Sequence, residues 1–207
     1  MTRMETADHS RRLRRLLDGV ERVVITLLFA WLAYRFSVSL AAQPANAVYL
    51  ISEGLVACFV LLRRSTDQIS LRPTDWVLGF TGTMLPMLAV PVDGGWPPGA
   101  PLMIAGLAIS LGAKLSLRRS FGIVAANRGV KKSGLYAAVR HPMYLGYFLI
   151  NGGMLMLNPS IWNGALLVLW AGCQIARIHA EERVLLQDLG YRAHAEKVRF
   201  RLLPFVY

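Results

Sequence analysis

Residues 140–182 read RHPMYLGYFLINGGMLMLNPSIWNGALLVLWAGCQIARIHAEE. An apolar run is bounded by Arg140-His141 at one end and Glu181-Glu182 at the other, and Asn158-Pro159-Ser160 turns it in the middle. A hydrocarbon core of about 30 Å takes about 20 helical residues to cross. The stretch therefore predicts a membrane hairpin that returns its two polar ends to one face. Ionisable groups held at a bilayer boundary are costly and mark functional sites.

Working outward, the whole chain has the same character. Its 207 residues are 55% hydrophobic and only 17% charged, with a mean hydropathy of +0.42. An ordinary soluble domain carries about 25% charged residues. Six apolar windows follow one another: Val20–Ala42, Asn46–Leu62, Asp75–Val92, Pro101–Leu117, Pro142–Leu157 and Ile161–His179. Backbone surrounded by lipid must satisfy its own hydrogen bonds, so each is predicted as a helix. The second, fourth and fifth are short, and the expected fold is an all-α polytopic bundle of five to six transmembrane helices.

The basic residues orient it. Arg3, Arg11, Arg12, Arg14 and Arg15 precede the first span and Arg22 lies at its start, Arg63, Arg64 and Arg72 follow the second, and a basic run from Lys114, at the end of the fourth span, to Arg140 leads to the fifth. The intervening turns at 43–45, 93–99 and 158–160 carry no basic residue. The positive-inside rule places both termini and the long polar segments on the cytoplasmic side of an inner or plasma membrane. The net charge of +11 is accounted for by that rule, so nucleic acid is not expected as a partner. Anionic membrane lipids are. The Arg-rich start, the first apolar run and Ala45-Asn46-Ala47 are similar to a cleavable signal. The run is long and interrupted by Arg35, which favours an uncleaved anchor. Cys58 and Cys173 fall in different spans and suit packing, and no metal site is expected.

Three regions result. Residues 1–19 read as a basic surface helix, residues 20–117 as transmembrane helices 1–4, and residues 118–207 as a third region that holds the polar cluster. In the third region Gly122, Gly129 and Gly134 mark turns. The last span continues as helix through Glu181–Leu189, Gly190 ends it, a short helix covers Tyr191–Arg199, and Pro204 closes the tail. Arg35 and Glu53 each lie about 13 Å from the turn near Pro44 at 1.5 Å per residue, which predicts an intramembrane ion pair. Gly106 and Gly112 suit close helix packing, and Trp76, Trp96 and Trp162 suit interfacial anchoring.

The cluster has a chemical sense of its own. Pro142 suits a first helical turn and leaves His141 at the cap. A helix N-terminus with Arg140 beside it attracts a carboxylate or phosphate. Tyr136 and Tyr144 add aromatic surface and hydroxyls. Glu181 and Glu182 suit an ammonium group or ribose hydroxyls, or pair with Arg177 and neighbouring arginines instead.

Residues 118–204 carry Ser120-Phe121-Gly122-Ile123, Asn127-Arg128-Gly129-Val130, Gly134-Leu135-Tyr136, Val139-Arg140-His141-Pro142-Met143-Tyr144-Leu145-Gly146, Glu181-Glu182, Tyr191 and Val198-Arg199-Phe200-Arg201-Leu202-Leu203-Pro204. In order and spacing this resembles the isoprenylcysteine carboxyl methyltransferase and phospholipid methyltransferase superfamily. The resemblance implies a methyltransferase core at 118–207 with a cytoplasmic C-terminal cofactor-binding region. S-adenosyl-L-methionine is the implied cofactor, S-adenosyl-L-homocysteine the product, and a lipid-like molecule the acceptor. Carried over, Tyr136, Arg140, His141, Pro142, Tyr144, Glu181, Glu182 and Tyr191 surround the cofactor, and Leu135 and Gly146 wall the adenine. Arg128 and Arg201 meet the acceptor. Arg201 orients an acceptor carboxylate, the favoured case, and Glu182 takes a proton if the acceptor is an amine. His194 stands where the superfamily often has a second tyrosine. The alternative classes are an NADPH-dependent lipid or sterol reductase, a haem carrier using His141 and His179, and a non-catalytic scaffold.

Overall fold

The computed structural model describes residues 3–62, 72–117 and 130–203, the side chains of 3–15, 17, 18 and 21 excepted. Among the described residues seven α-helices run in order: α1 (Arg3–Ser39), α2 (Asn46–Leu62), α3 (Pro73–Met87), α4 (Gly99–Leu117), α5 (Pro142–Leu157), α6 (Ile161–Leu185) and α7 (Leu189–Lys197). A 3₁₀ turn at Gly134–Ala137 precedes α5. No strand occurs among the described residues, and the fold is an all-helical membrane bundle.

Local sequence sets the ends. Proline occupies the first turn of both α3 and α5, where its missing N–H costs nothing. Ser160 caps α6 by accepting from the Asn163 N–H, and Asp188 caps α7 by accepting from Tyr191. The apolar part of α1 (Arg22–Ser39), α4 and α6 are each long and apolar enough to cross a membrane. Helices α2, α3 and α5 have 17, 15 and 16 residues, or about 23–26 Å at 1.5 Å per residue.

Helices α4 and α5 lie closest together, and glycine is the reason. A Cβ on Gly106 would sit 2.6 Å from the Gly146 carbonyl oxygen, and one on Gly99 would sit 2.5 Å from that of Gly153. The two pairs recur two turns apart, so one stripe of each helix has no side chain and the backbones touch. Helix α6 packs on α3, where Trp170 and Gln174 both donate to the Gly82 carbonyl. At the end remote from Glu182, asparagines tie the connections: Asn158 donates to Asn46, and Asn163 donates to the Val90 carbonyl.

Several expectations are corrected. The amino-terminal segment is not a separate surface helix, because α1 runs unbroken from Arg3. Gly190 does not end a helix. It lies in the first turn of α7, which Asp188 caps, and α6 has already stopped at Leu185. Arg35 does not pair with Glu53. Its guanidinium donates to the Met87 carbonyl at 2.8 Å and stacks 3.6 Å over Trp31. Glu53 instead meets the charge of Lys114 on α4. Equal depth in a hairpin does not fix rotation about the helix axes, and here the two side chains point to different neighbours.

Candidate functional site

Three segments converge at the end of the α5–α6 hairpin: the turn before α5, the last turns of α6, and the chain after α7. Pro142 starts α5, with His141 at the cap position. The chain after α7 runs alongside this entry in the same direction. The Arg140 N–H donates to the Phe200 carbonyl at 2.9 Å and the His141 N–H to the Arg201 carbonyl at 2.8 Å. Arg140 also donates from its side chain to the Arg199 carbonyl. Two backbone bonds thus hold the tail across the end of the hairpin.

Glu182 is at the centre and is 3% exposed. Its Oε1 meets Arg140 Nη1 at 2.8 Å and His141 Nε2 at 3.4 Å, and its Oε2 accepts from Arg201 Nε at 2.6 Å. Both oxygens are therefore engaged, by groups from two other segments. Glu181 is held differently. Tyr144 donates its hydroxyl to Oε1 at 2.5 Å, while Oε2 is 3.8 Å from His141 Nδ1, and the side chain keeps 19% exposure. His141 stands between the two carboxylates, edge-on to the Tyr144 ring.

Buried aromatic groups complete the wall. Tyr136 on the 3₁₀ turn and Tyr191 on α7 are both buried. Burial, and then the negative charges of Glu181 and Glu182 respectively, push both phenols well above their ordinary range, so both stay protonated. The Tyr191 hydroxyl is buried with no hydrogen-bond partner among the described residues. His194 is held below its ordinary value by burial and then by the charges of Lys132 and Arg140, against a bond to the Tyr136 backbone. Its Nε2 is likewise buried and unpartnered.

Tyr136, Arg140, His141, Pro142, Tyr144, Glu181, Glu182, Tyr191 and Arg201 are thus brought into one cluster. Leu135 is exposed and faces Gly112 of α4. Gly146 lies in the α4–α5 contact, against Gly106 and Ser110. Arg128 and the 120–129 motifs lie outside the described residues. Arg201 and Glu182, expected to handle the acceptor, are bonded to each other.

Four polar residues were missed as parts of one arrangement: Lys114, Tyr147, Gln174 and Arg177, all buried. Lys114 was counted among loop cations, yet it is fully buried with its ammonium 4.7 Å over the Tyr147 ring. The available signal was the placement of Gln174 and Arg177, one turn apart within an apolar helix. Among the described residues no three His, Cys, Asp or Glu side chains gather as metal ligands.

Residues 103–187 match the sequence model of the isoprenylcysteine carboxyl methyltransferase (ICMT) family. No curated protein and no solved structure matches the chain. The match runs from α4 through both glutamates, and it supports the resemblance read from the motifs. It is a match to a family of membrane methyltransferases.

Proposed function

We propose that this protein is an S-adenosylmethionine-dependent membrane methyltransferase that modifies a lipid-like acceptor, with carboxylate O-methylation favoured over amine N-methylation. The observation that carries the reading is the Tyr144–Glu181–His141 arrangement beside the unpartnered Tyr191 hydroxyl, within and next to the segment that matches the family. The six apolar helices are read as a multi-pass bundle with both termini and this cluster at the cytoplasmic face, where the basic residues concentrate.

The residues suit the cofactor. Buried polar atoms are nearly always paired, and the Tyr191 hydroxyl has no partner among the described residues. The Glu181 side chain keeps 19% exposure, and a partly open carboxylate fits an ammonium group or a ribose hydroxyl. Tyr136, Tyr191 and His141 offer faces for an adenine. The cofactor supplies a methyl group already activated on a sulfonium, so the protein has mainly to align partners and exclude water.

The two glutamates then divide the work. Glu182, clamped by Arg140, His141 and Arg201, fixes the tail over the site and keeps water out. Glu181, oriented by Tyr144, faces the ligand. A carboxylate acceptor needs no base. An amine acceptor must lose a proton, and Glu181 is better placed to take it than Glu182, whose oxygens are both engaged.

Calorimetric titration of the detergent-purified chain with S-adenosylhomocysteine, with NADPH as control, tests this. Saturable binding of the first alone is the expected result. Binding of NADPH alone, or of neither, refutes the proposal.

A further inference from the structure

One turn inward from the cluster along both α5 and α6, a cavity of about 20 Å³ opens between α2, α3, α5 and α6. Tyr147, Asn151, Arg177 and Glu53 form its polar wall and Trp170 part of its apolar one. It adjoins the site through shared neighbours. Tyr147 lies edge-on to Tyr144, and the Arg177 guanidinium is 5.5 Å from the Tyr144 ring.

Arg177 is buried where a charge is expensive, and the bundle is shaped around it. Its Nη1 donates to Gln174 Oε1 at 3.0 Å, and Gln174 donates in turn to the Gly82 carbonyl at 3.1 Å. A Cβ at position 82 would come 2.9 Å from Arg177 Cδ, so glycine there makes the room. Tyr147 is 8% exposed, and its hydroxyl is buried with no hydrogen-bond partner among the described residues. A hydroxyl desolvated and unpaired inside a bilayer is costly. Glu53 faces the same cavity, and the nearby charge of Lys114 offsets it.

An oxygen acceptor fits this wall: the Tyr147 O–H donates, and a guanidinium matches carboxylate geometry. Arg201, the other candidate for that task, is bonded to Glu182. We propose that this cavity receives the anionic oxygen-bearing head of the methyl acceptor, anchored by Arg177 and Tyr147, with the apolar tail left in the lipid. This rests on the methyltransferase reading and names the acceptor-anchoring residues of the same site.

Dodecanoate serves as the probe, with dodecanol and dodecylamine as controls, each titrated into the full chain in detergent at saturating S-adenosylhomocysteine. The readout is the midpoint of thermal unfolding, which rises with occupancy. Saturable stabilisation by dodecanoate alone is expected. Tyr147→Phe removes one hydrogen bond to a charged group and should weaken it about tenfold, and Arg177→Gln should weaken it more, on the order of a hundredfold. Calorimetric affinity for S-adenosylhomocysteine should stay within about threefold of wild type in Tyr147→Phe, which removes one oxygen atom and keeps the ring. Equal stabilisation by all three amphiphiles, none by dodecanoate, or unchanged dodecanoate affinity in Tyr147→Phe overturns the proposal. Should Arg177→Gln fail to fold, Tyr147→Phe decides alone. Dodecanoate binding without S-adenosylhomocysteine binding would instead sink the methyltransferase reading and leave an anion site.

Discussion

Replacing Glu182 by Gln is the sharpest test of how the tail is held. The carboxylate receives Arg140 at 2.8 Å, His141 at 3.4 Å and Arg201 at 2.6 Å. An amide keeps one acceptor oxygen and turns an NH₂ toward either Arg140 or Arg201, donor against donor. Arg140 is 10% exposed and Arg201 30%. Removing one partner of a fully buried pair costs about 3–5 kcal/mol. The partial exposure of Arg201 lowers this, and about 3 kcal/mol is the reasoned figure. Because Arg201 belongs to the tail, the loss falls on tail docking rather than on the helices. At about 1.4 kcal/mol per factor of ten, the undocked population should rise on the order of a hundredfold. Limited trypsin digestion reads this directly through cleavage after Arg199 and Arg201, normalised to cleavage elsewhere in the chain. The rate should climb with the undocked fraction, and high salt should narrow the difference. A Glu182→Gln tail cut within about threefold of the wild-type rate would refute the clamp, since that corresponds to under about 1 kcal/mol.

Other predictions are briefer. Gly146→Ala drives a methyl into the Gly106 carbonyl, which a Cβ would approach to 2.6 Å. It should cost at least about 1–3 kcal/mol, a drop of about 2–12 °C in thermal midpoint, whereas Gly172→Ala, with nothing within 4 Å of its Cβ, should be neutral. Tyr191→Phe deletes a hydroxyl without a partner among the described residues. Stability without ligand should hold or rise slightly, while calorimetric affinity for S-adenosylhomocysteine should fall about tenfold if the cofactor supplies the missing partner. His194 has its pKa lowered below 6.5 by burial, Lys132 and Arg140. The unfolded chain therefore binds the proton first as pH falls, so stability should decrease below about pH 6.5 and level off once the folded-state pKa is passed. Unfolding of His194→Gln followed from pH 7.5 to 5 should lack that component.

Much of this was legible because it depends on periods and ends. Asn46–Leu62 and Pro142–Leu157 were read with the bounds the helices have, since turn residues and proline mark them. The approach of Gly106 to its neighbour helix was legible from size alone. What the sequence did not reveal depends on rotation and on the third dimension. Arg35 and Glu53 share a depth, yet one finds a carbonyl on α3 and the other a lysine on α4. Lys114 sits three residues from the end of α4 and reads as a loop cation, but packing turns it inward over Tyr147. A glycine such as Gly190 usually follows a helix, and here it is the Asp188 cap that places it inside a first turn instead.

The glutamate doublet shows why composition at a site understates its organisation. Adjacent residues on a helix point about 100° apart, so neighbours in sequence enter different surroundings. Glu182 turns to the tail and collects three basic groups. Glu181 turns to Tyr144 and stays partly open. Exchanging their surroundings would require rotating α6, which the Gln174 and Trp170 bonds to the Gly82 carbonyl prevent. The same two bonds also place Arg177, one turn before Glu181, under the Tyr144 ring. One carbonyl on α3 thereby fixes the rotation of α6 and, with it, which carboxylate clamps the tail, which stays partly open, and where the buried guanidinium points.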